Sequence, residues 1–250
     1  MSLYIDVVSL FPEAFIGPLN FSIVKRAQQL GYIVVNIFNP RDFTQDRYRK
    51  VDDYPYGGGR GMILKPEPVF ESVEYIRKLR GEGTAILLSP QGIPLSQSLV
   101  EDLSRKNSLI LICGHYEGVD ERVALHLADL EVSIGDYVLS GGEVPAMVII
   151  DAISRMFPQV IDSEVIAEES FYRGIFDYPH YTRPYDFRGY KVPDVLLSGD
   201  HKKIELYRRK EALKKTLNRR PELLIRSNLT ELDMELLQEI FEEIAKNKLG

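Results

Sequence analysis

Three apolar runs in this chain break abruptly into glycine-bearing turns, and this pattern constrains the fold more than any other feature. Ala85-Ile86-Leu87-Leu88 runs into Ser89-Pro90-Gln91-Gly92, Leu109–Cys113 into GHYEG at 114–118, and Glu131–Ile134 into GDYVLSGG at 135–142. Short apolar runs bounded by turn residues read as buried strands. Strand candidates at 3–9, 33–38, 84–88, 109–113 and 131–134 alternate with amphipathic segments at 19–30, 67–80, 96–105, 119–128 and 143–157. That alternation predicts an α/β fold, a parallel sheet with helices on both faces. In open α/β sheets the ligand crevice lies beyond the carboxyl ends of the strands. Three such turns together therefore predict a pocket built mainly of main chain.

Local signals support the helices. Ser96 is placed to cap 96–105, and Pro145 falls in a first helical turn, where its missing donor costs little. From 158 to 199 the periodicity vanishes, and prolines at 158, 179, 184 and 193 punctuate a tyrosine-rich stretch, read as a linker with an ordered functional loop. Two helices follow. One runs 200–219, with Ser198-Gly199-Asp200 as its start and Pro221 as its stop; the other runs 231–247, opened by Thr230-x-x-Asp233, a capping-box variant. This last part reads as a small all-α domain. The stretch 39–66 is loop-like and long enough to expect a role in function. Its Gly57-Gly58-Gly59-Arg60-Gly61 lacks the GK[ST] of a phosphate-binding loop, so it reads as a backbone hinge near a substrate.

Composition narrows the class. The single cysteine, Cys113, excludes an internal disulfide framework and paired-cysteine metal spacing. His115, His126, His180 and His201 show no metal-ligand spacing, and no metal site is expected. The chain enters Leu3-Tyr4-Ile5 without a basic leader, and no run approaches a membrane span; a cytoplasmic protein is the expectation. The net charge of −6 hides an asymmetry: residues 201–226 carry ten Lys/Arg against three Glu, while the last 22 residues carry six Asp/Glu against two Lys. A segregated basic stripe is an electrostatic footprint for nucleic acid, although a basic run alone is equally a solvated helix face.

LLSPQG (87–92), ICGHYEGVDERV (112–123), SIGDYVLSGGE (133–143), ESF (169–171), DYPHYTRP (177–184) and RRPELL (219–224) occur in one order along the chain. Together they resemble the bacterial tRNA (guanine-N1)-methyltransferases, the TrmD family of the SPOUT class. The resemblance implies a trefoil-knotted parallel sheet with helices on both faces and a small all-α C-terminal domain. It divides the chain into a knotted S-adenosylmethionine-binding domain (1–160), an interdomain linker and substrate loop (161–199) and a helical tRNA-binding domain (200–250). It further implies an obligate homodimer with its active site between protomers, and methylation of guanine 37, immediately 3′ of the tRNA anticodon. A magnesium dependence is implied by the resemblance alone, with no dedicated ligand set visible.

Site residues carry over position by position. The cofactor pocket is assigned to Leu87, Leu88, Ser89, Pro90, Gln91 and Gly92, then Gly114, Tyr116 and Glu117. It is completed by Ile134, Gly135, Asp136, Tyr137, Val138, Leu139, Gly141, Gly142 and Pro145. Any one of these glycines is equally a tight-turn residue. Glu117 suits a positively charged sulfonium, or pairs with Arg122, or is a surface carboxylate; His115 is expected at the pocket rim. Guanine N1 carries a proton, so methylation needs a base and a partner for charge developing on O6. The resemblance assigns these roles to Glu169 and Arg155. The family more often has Asp at the first position, and neighbouring Glu168 is an alternative base. Arg155 is alternatively a helix-surface partner of Asp151.

RNA contact is assigned to Asp177, His180, Tyr181, Thr182 and Arg183, with His180 alternatively a loop residue bonded to backbone. Phosphate contacts are assigned to Lys202, Lys203, Arg208, Arg209, Lys214, Lys215, Arg219 and Arg220. Two other classes stay open: a non-catalytic RNA-binding module, and a small-molecule nucleotide enzyme whose basic helix is mere surface.

Overall fold

Ser108–Cys113 (β6) is buried at every position, as expected of a central strand covered on both faces. Its neighbours are Leu3–Val8 (β1) and Thr84–Pro94 (β5); Ile33–Phe38 (β2) and Leu130–Ser133 (β7) close the edges. The order is β2-β1-β6-β5-β7 and every pairing is parallel. The computed structural model describes residues 2–162, 166, 169–172 and 174–248. The chain divides into two units, Met1–Ser163 and Glu164–Gly250.

In the first unit, Ser22–Gln29 (α1), Gln97–Ser104 (α3) and Glu143–Ser154 (α5) pack on one face of the sheet through Val24, Val100, Leu103 and Ile149. Pro66–Arg80 (α2) and Glu121–His126 (α4) cover the other through Val69, Val73, Ile76 and Val123. Ser96 caps α3 by accepting from Leu99 N at 3.3 Å. Helices 19–30 and 119–128 are shorter than the periodicity predicts, the first preceded by a 3-10 turn at Pro18–Asn20.

The strand at 84–88 does not end at the LLSPQG turn: β5 resumes and runs to Pro94, with Leu88 and Ile93 both paired to Val132. The turn at 89–92 is thus a bulge from a continuing strand. A Cβ on Gly92 would collide with the main-chain N of Val132, which accounts for glycine there. Likewise, 39–66 is not all loop: Asp52–Asp53 (β3) and Ile63–Leu64 (β4) form an antiparallel hairpin around the glycine run.

In the second unit, His201–Arg219 (α6) packs on Glu231–Lys248 (α8) around Ala212, Leu213, Leu236, Leu237 and Ile240, with Ile175 and Tyr178 joining the cluster. Asp200 caps α6. The Thr230/Asp233 box closes reciprocally: Thr230 N donates to Asp233 Oδ2 at 2.8 Å, and Asp233 N to Thr230 Oγ1 at 3.2 Å. Pro221 ends α6 but opens a further helix, Pro221–Arg226 (α7), because proline is well suited to a first helical position. Within 158–199 lie a short hairpin, Asp186–Phe187 (β8) and Tyr190–Lys191 (β9), and a 3-10 turn at Asp194–Leu197. Among the described residues no helix is long and apolar enough to cross a membrane.

Candidate cofactor pocket and nucleic-acid interface

The bulge within β5 and the turns after β6 and β7 close around one cavity of about 410 Å³, within the range of small-molecule sites. Main-chain pairing holds two of them together. Gly142 N donates to Gly114 O at 2.9 Å, and His115 bridges Gly141. A Cβ on Gly142 would lie 2.5 Å from Cys113 Cα and 3.0 Å from Gly114 N, so only glycine lets these segments approach. Tyr116 takes φ 63°, turning the chain back over the cavity.

Of the residues that the sequence assigns to the cofactor, all but Gly92 and Asp136 line this cavity. Gly92 lies behind it against β7, and Asp136 is exposed. His115 is in the lining; its Nδ1 is buried and has no hydrogen-bond partner among the described residues. Sequence reasoning missed Glu121, Ala124, Ser133 and Ser140, which also line it. Glu121 and Ala124 sit on α4, and the run-then-turn pattern carries no signal for a helix behind the turns.

Charge around the cavity is arranged locally. The alternative pairing of Glu117 with Arg122 is overturned, because Arg122 forms a two-pronged pair with Asp120 at 2.7 and 2.8 Å. Hydrogen bonds from Arg122 lower the Asp120 carboxyl below its ordinary range. Glu117 instead lies over Gly61: a Cβ there would meet the Glu117 side chain. Beneath the turns, Ser9 Oγ donates to the buried Glu143 carboxylate at 2.7 Å. Burial, and then the Glu143 charge, pushes the Cys113 thiol well up, leaving it unreactive.

Arg155 is half-buried at the C-cap of α5. Glu169 belongs to the second unit, half-buried, and lines a separate cavity of about 1050 Å³ there. Glu168 lies outside the described residues. Asp177, Lys202, Arg208 and Arg209 line the same cavity, joined by Arg226, Ser227 and Asn228, which sequence reasoning missed because the RRPELL motif stops at Leu224. Arg208 lies over the Tyr178 ring at 4.6 Å, and the His180 ring lies 4.6 Å from Tyr178. His180 Nε2 also stands 3.4 Å from Asp177 Oδ2, and among the described residues it bonds to no backbone group. Tyr181, Thr182 and Arg183 are exposed.

Several cations of the basic stripe face inward. Arg209 grips the buried Asp233 at 2.6 and 2.9 Å, Lys210 pairs with Glu239 and Glu243, and Lys214 with Glu243 at 3.6 Å. Lys215 pairs with Asp177, Lys203 with Asp200, and Arg220 with Glu222. Among the described residues Lys202, Arg208, Arg219 and Arg226 have no carboxylate at ion-pair distance. No group of three or more His, Cys, Asp or Glu among the described residues is placed to hold a metal ion.

A family model described as tRNA (guanine-1)-methyltransferase TrmD matches residues 3–226. A tRNA (guanine-N(1)-)-methyltransferase of Dictyoglomus turgidum is 56% identical over 243 residues, covering 97% of this chain and 98% of the relative. Relatives of the same name from Carboxydothermus hydrogenoformans (54%, covering 96% and 95%) and Thermosipho melanesiensis (50%, covering 97% and 98%) match over similar lengths. The cavity of the first unit lies wholly within the matched residues, and the chain belongs to the tRNA (guanine-1)-methyltransferase family.

Proposed function

We propose that this enzyme methylates N1 of guanine 37, the nucleotide 3′ of the tRNA anticodon, using S-adenosyl-L-methionine and giving 1-methylguanosine. The observation that carries the reading is the closure of one bulge and two strand-end turns around one cavity, in a chain of this family. The cavity suits a bent adenosyl ligand on two grounds: its turns meet at glycines where a Cβ would strike main chain, and the orphaned His115 Nδ1 offers a buried polar atom in its wall. When bound, S-adenosylmethionine supplies an electrophilic methyl group on a sulfonium.

The residues that would hold it are the turns 87–92, 114–117 and 134–142 with Pro145, with Glu117 the acidic neighbour of the positive sulfur. Glu169 takes the N1 proton onto its carboxylate, leaving a lone pair on N1 for the methyl group. The charge that this leaves on guanine O6 is held by the Arg155 guanidinium. Loop residues Asp177, His180, Tyr181, Thr182 and Arg183 engage the anticodon loop. Lys202, Lys203, Arg208, Arg219 and Arg220 contact its phosphates, whereas Arg209, Lys214 and Lys215 are already paired with Asp233, Glu243 and Asp177.

Family membership also supports a trefoil-knotted, SPOUT-class sheet domain over 1–160, a linker and substrate loop over 161–199, and a tRNA-binding helical domain over 200–250. A homodimer fits the apolar side chains left exposed beside the pocket: Val138, Val144 and Val148 are 89%, 52% and 40% accessible. Incubation with labelled S-adenosylmethionine and unmodified tRNA bearing a GG step at the 3′ side of the anticodon tests the activity. The expected product is 1-methylguanosine; its absence under conditions active for a reference enzyme overturns the proposal.

A further inference from the structure

The hairpin β3–β4 has a rigid root and a bare tip. At the root, Val51 and Leu64 are buried in the sheet core, and Lys65 N donates to Val51 O at 2.8 Å. The root is also sewn to the turn after β6. Glu117 N donates to Met62 O at 3.1 Å, Leu64 N to Gly118 O at 3.0 Å, and Asp120 N to Leu64 O at 3.0 Å. The hairpin therefore shares its hydrogen bonds with a wall of the cofactor cavity.

The tip differs in kind. Tyr54 is 77% and Tyr56 99% accessible. Beyond them Gly57, Gly58 and Gly59 all take positive φ, and nothing stands within 4 Å of where a Cβ on Gly57 or Gly58 would be. The adjoining loop adds Tyr48, 83% accessible, with the Arg47 guanidinium 5.9 Å from its ring centroid. That loop is tied to the pocket in turn, since Arg41 Nη2 reaches the Tyr116 hydroxyl at 3.5 Å. Arg49 and Lys50 are paired with Asp42 and Asp53, whereas among the described residues Arg47 and Arg60 have no carboxylate partner.

Solvent-facing aromatic rings interleaved with unpaired guanidiniums, on a backbone stripped of other side chains, are the elements of a stacking surface for unpaired nucleotides. We infer that the hairpin tip, through Tyr54, Tyr56 and Arg60, stacks on and neutralises unpaired RNA nucleotides flanking the target guanine. The inference rests on the proposed function for the identity of that RNA. Rings supply sequence-tolerant contact with base faces, and Arg60 holds a phosphate. The hairpin root hands the contact on to the cofactor wall through Glu117 and Gly61.

The test uses the full-length protein and an anticodon stem-loop with 2-aminopurine beside the target guanine. Wild type is expected to quench the fluorophore on binding, as a stacked base requires. Y54L/Y56L is expected to lose the quenching and raise KM for tRNA roughly tenfold or more, while Y54F/Y56F restores both. Melting temperature and affinity for S-adenosylmethionine are expected to stay at the wild-type level, because these rings lie outside the cofactor cavity. Unchanged quenching and KM in Y54L/Y56L, or a wild type that binds the stem-loop without quenching, overturns the inference. Tyrosine-dependent quenching by a wild type that forms no 1-methylguanosine sustains the inference and overturns the proposed reaction.

Discussion

Lys215 Nζ donates to both Asp177 Oδ1, at 3.0 Å, and the Asp177 main-chain carbonyl, at 3.3 Å. Two residues expected to face RNA thus hold each other, and Asp177 in turn is bonded to Ser170, the neighbour of Glu169, in both directions at 3.0 Å. Phe176 N donates to Thr216 Oγ1 at 3.0 Å, a second clip between this loop and α6. Burial raises the Asp177 carboxyl, but hydrogen bonds from Lys215 and Ser170 outweigh it, and the net shift is downward.

Lys215→Met is therefore expected to lower turnover through misplacement of Glu169. Loss of one charge-assisted bond of about 1.5–3 kcal/mol corresponds to roughly a ten- to hundredfold fall in kcat. Equilibrium binding of S-adenosylmethionine, measured by calorimetry, is expected to be unchanged. A defect confined to KM for tRNA would assign Lys215 to RNA contact instead.

Asp233→Asn is expected to destabilise the second unit by about 3 kcal/mol, because it strands Arg209 opposite a neutral side chain at a buried position. Denaturant unfolding of the full chain measures it. Hydrogen bonds from Arg209 hold the Asp233 carboxyl at about 2, against an ordinary 3.8. A lowered carboxylate stabilises the fold above its unfolded value and loses that contribution as pH falls through the folded value. The wild-type advantage over Asp233→Asn is thus expected to be full above about pH 4 and to shrink toward pH 2.

Gly142→Ala is expected to cost about 2–4 kcal/mol and to abolish cofactor binding, because its methyl would lie 2.5 Å from Cys113 Cα at the meeting of two turns. Gly17→Ala is the control: its φ is −69° and nothing stands within 4 Å. Thermal melting with and without S-adenosylhomocysteine separates the two; equal behaviour would remove steric closeness as the reason for glycine at 142.

Glu169→Ala and Arg155→Ala are each expected to reduce turnover by about a hundredfold or more, as removal of a proton acceptor or a charge-stabilising donor does. Cofactor affinity should persist in both. Single-turnover methylation with saturating tRNA checks this, and near-wild-type rates in either variant would reassign the role.

The sheet was legible because its strands are covered on both faces and so are continuously apolar, as in Leu109–Cys113. The pocket was legible because glycine-bearing turns follow β6 and β7 and interrupt β5. What stayed hidden was non-local. Nothing in residues 84–94 announces that Val132 serves both Leu88 and Ile93, since that pairing joins distant segments. The two-residue strands of the β3–β4 hairpin are too short to show a period. Spacing left the partner of Arg122 open, and in the fold Asp120, two residues away, takes it. The opposed charges of 201–226 and the last 22 residues stand apart in sequence, yet they pair with one another across α6 and α8.

That pairing bears on ionic strength. Arg209, Lys210 and Lys214 already neutralise carboxylates of α8, so they release few counterions when a polyanion arrives. The slope of log affinity for RNA against log salt is set by phosphates newly neutralised. It should therefore be shallower than a count of cations along α6 suggests.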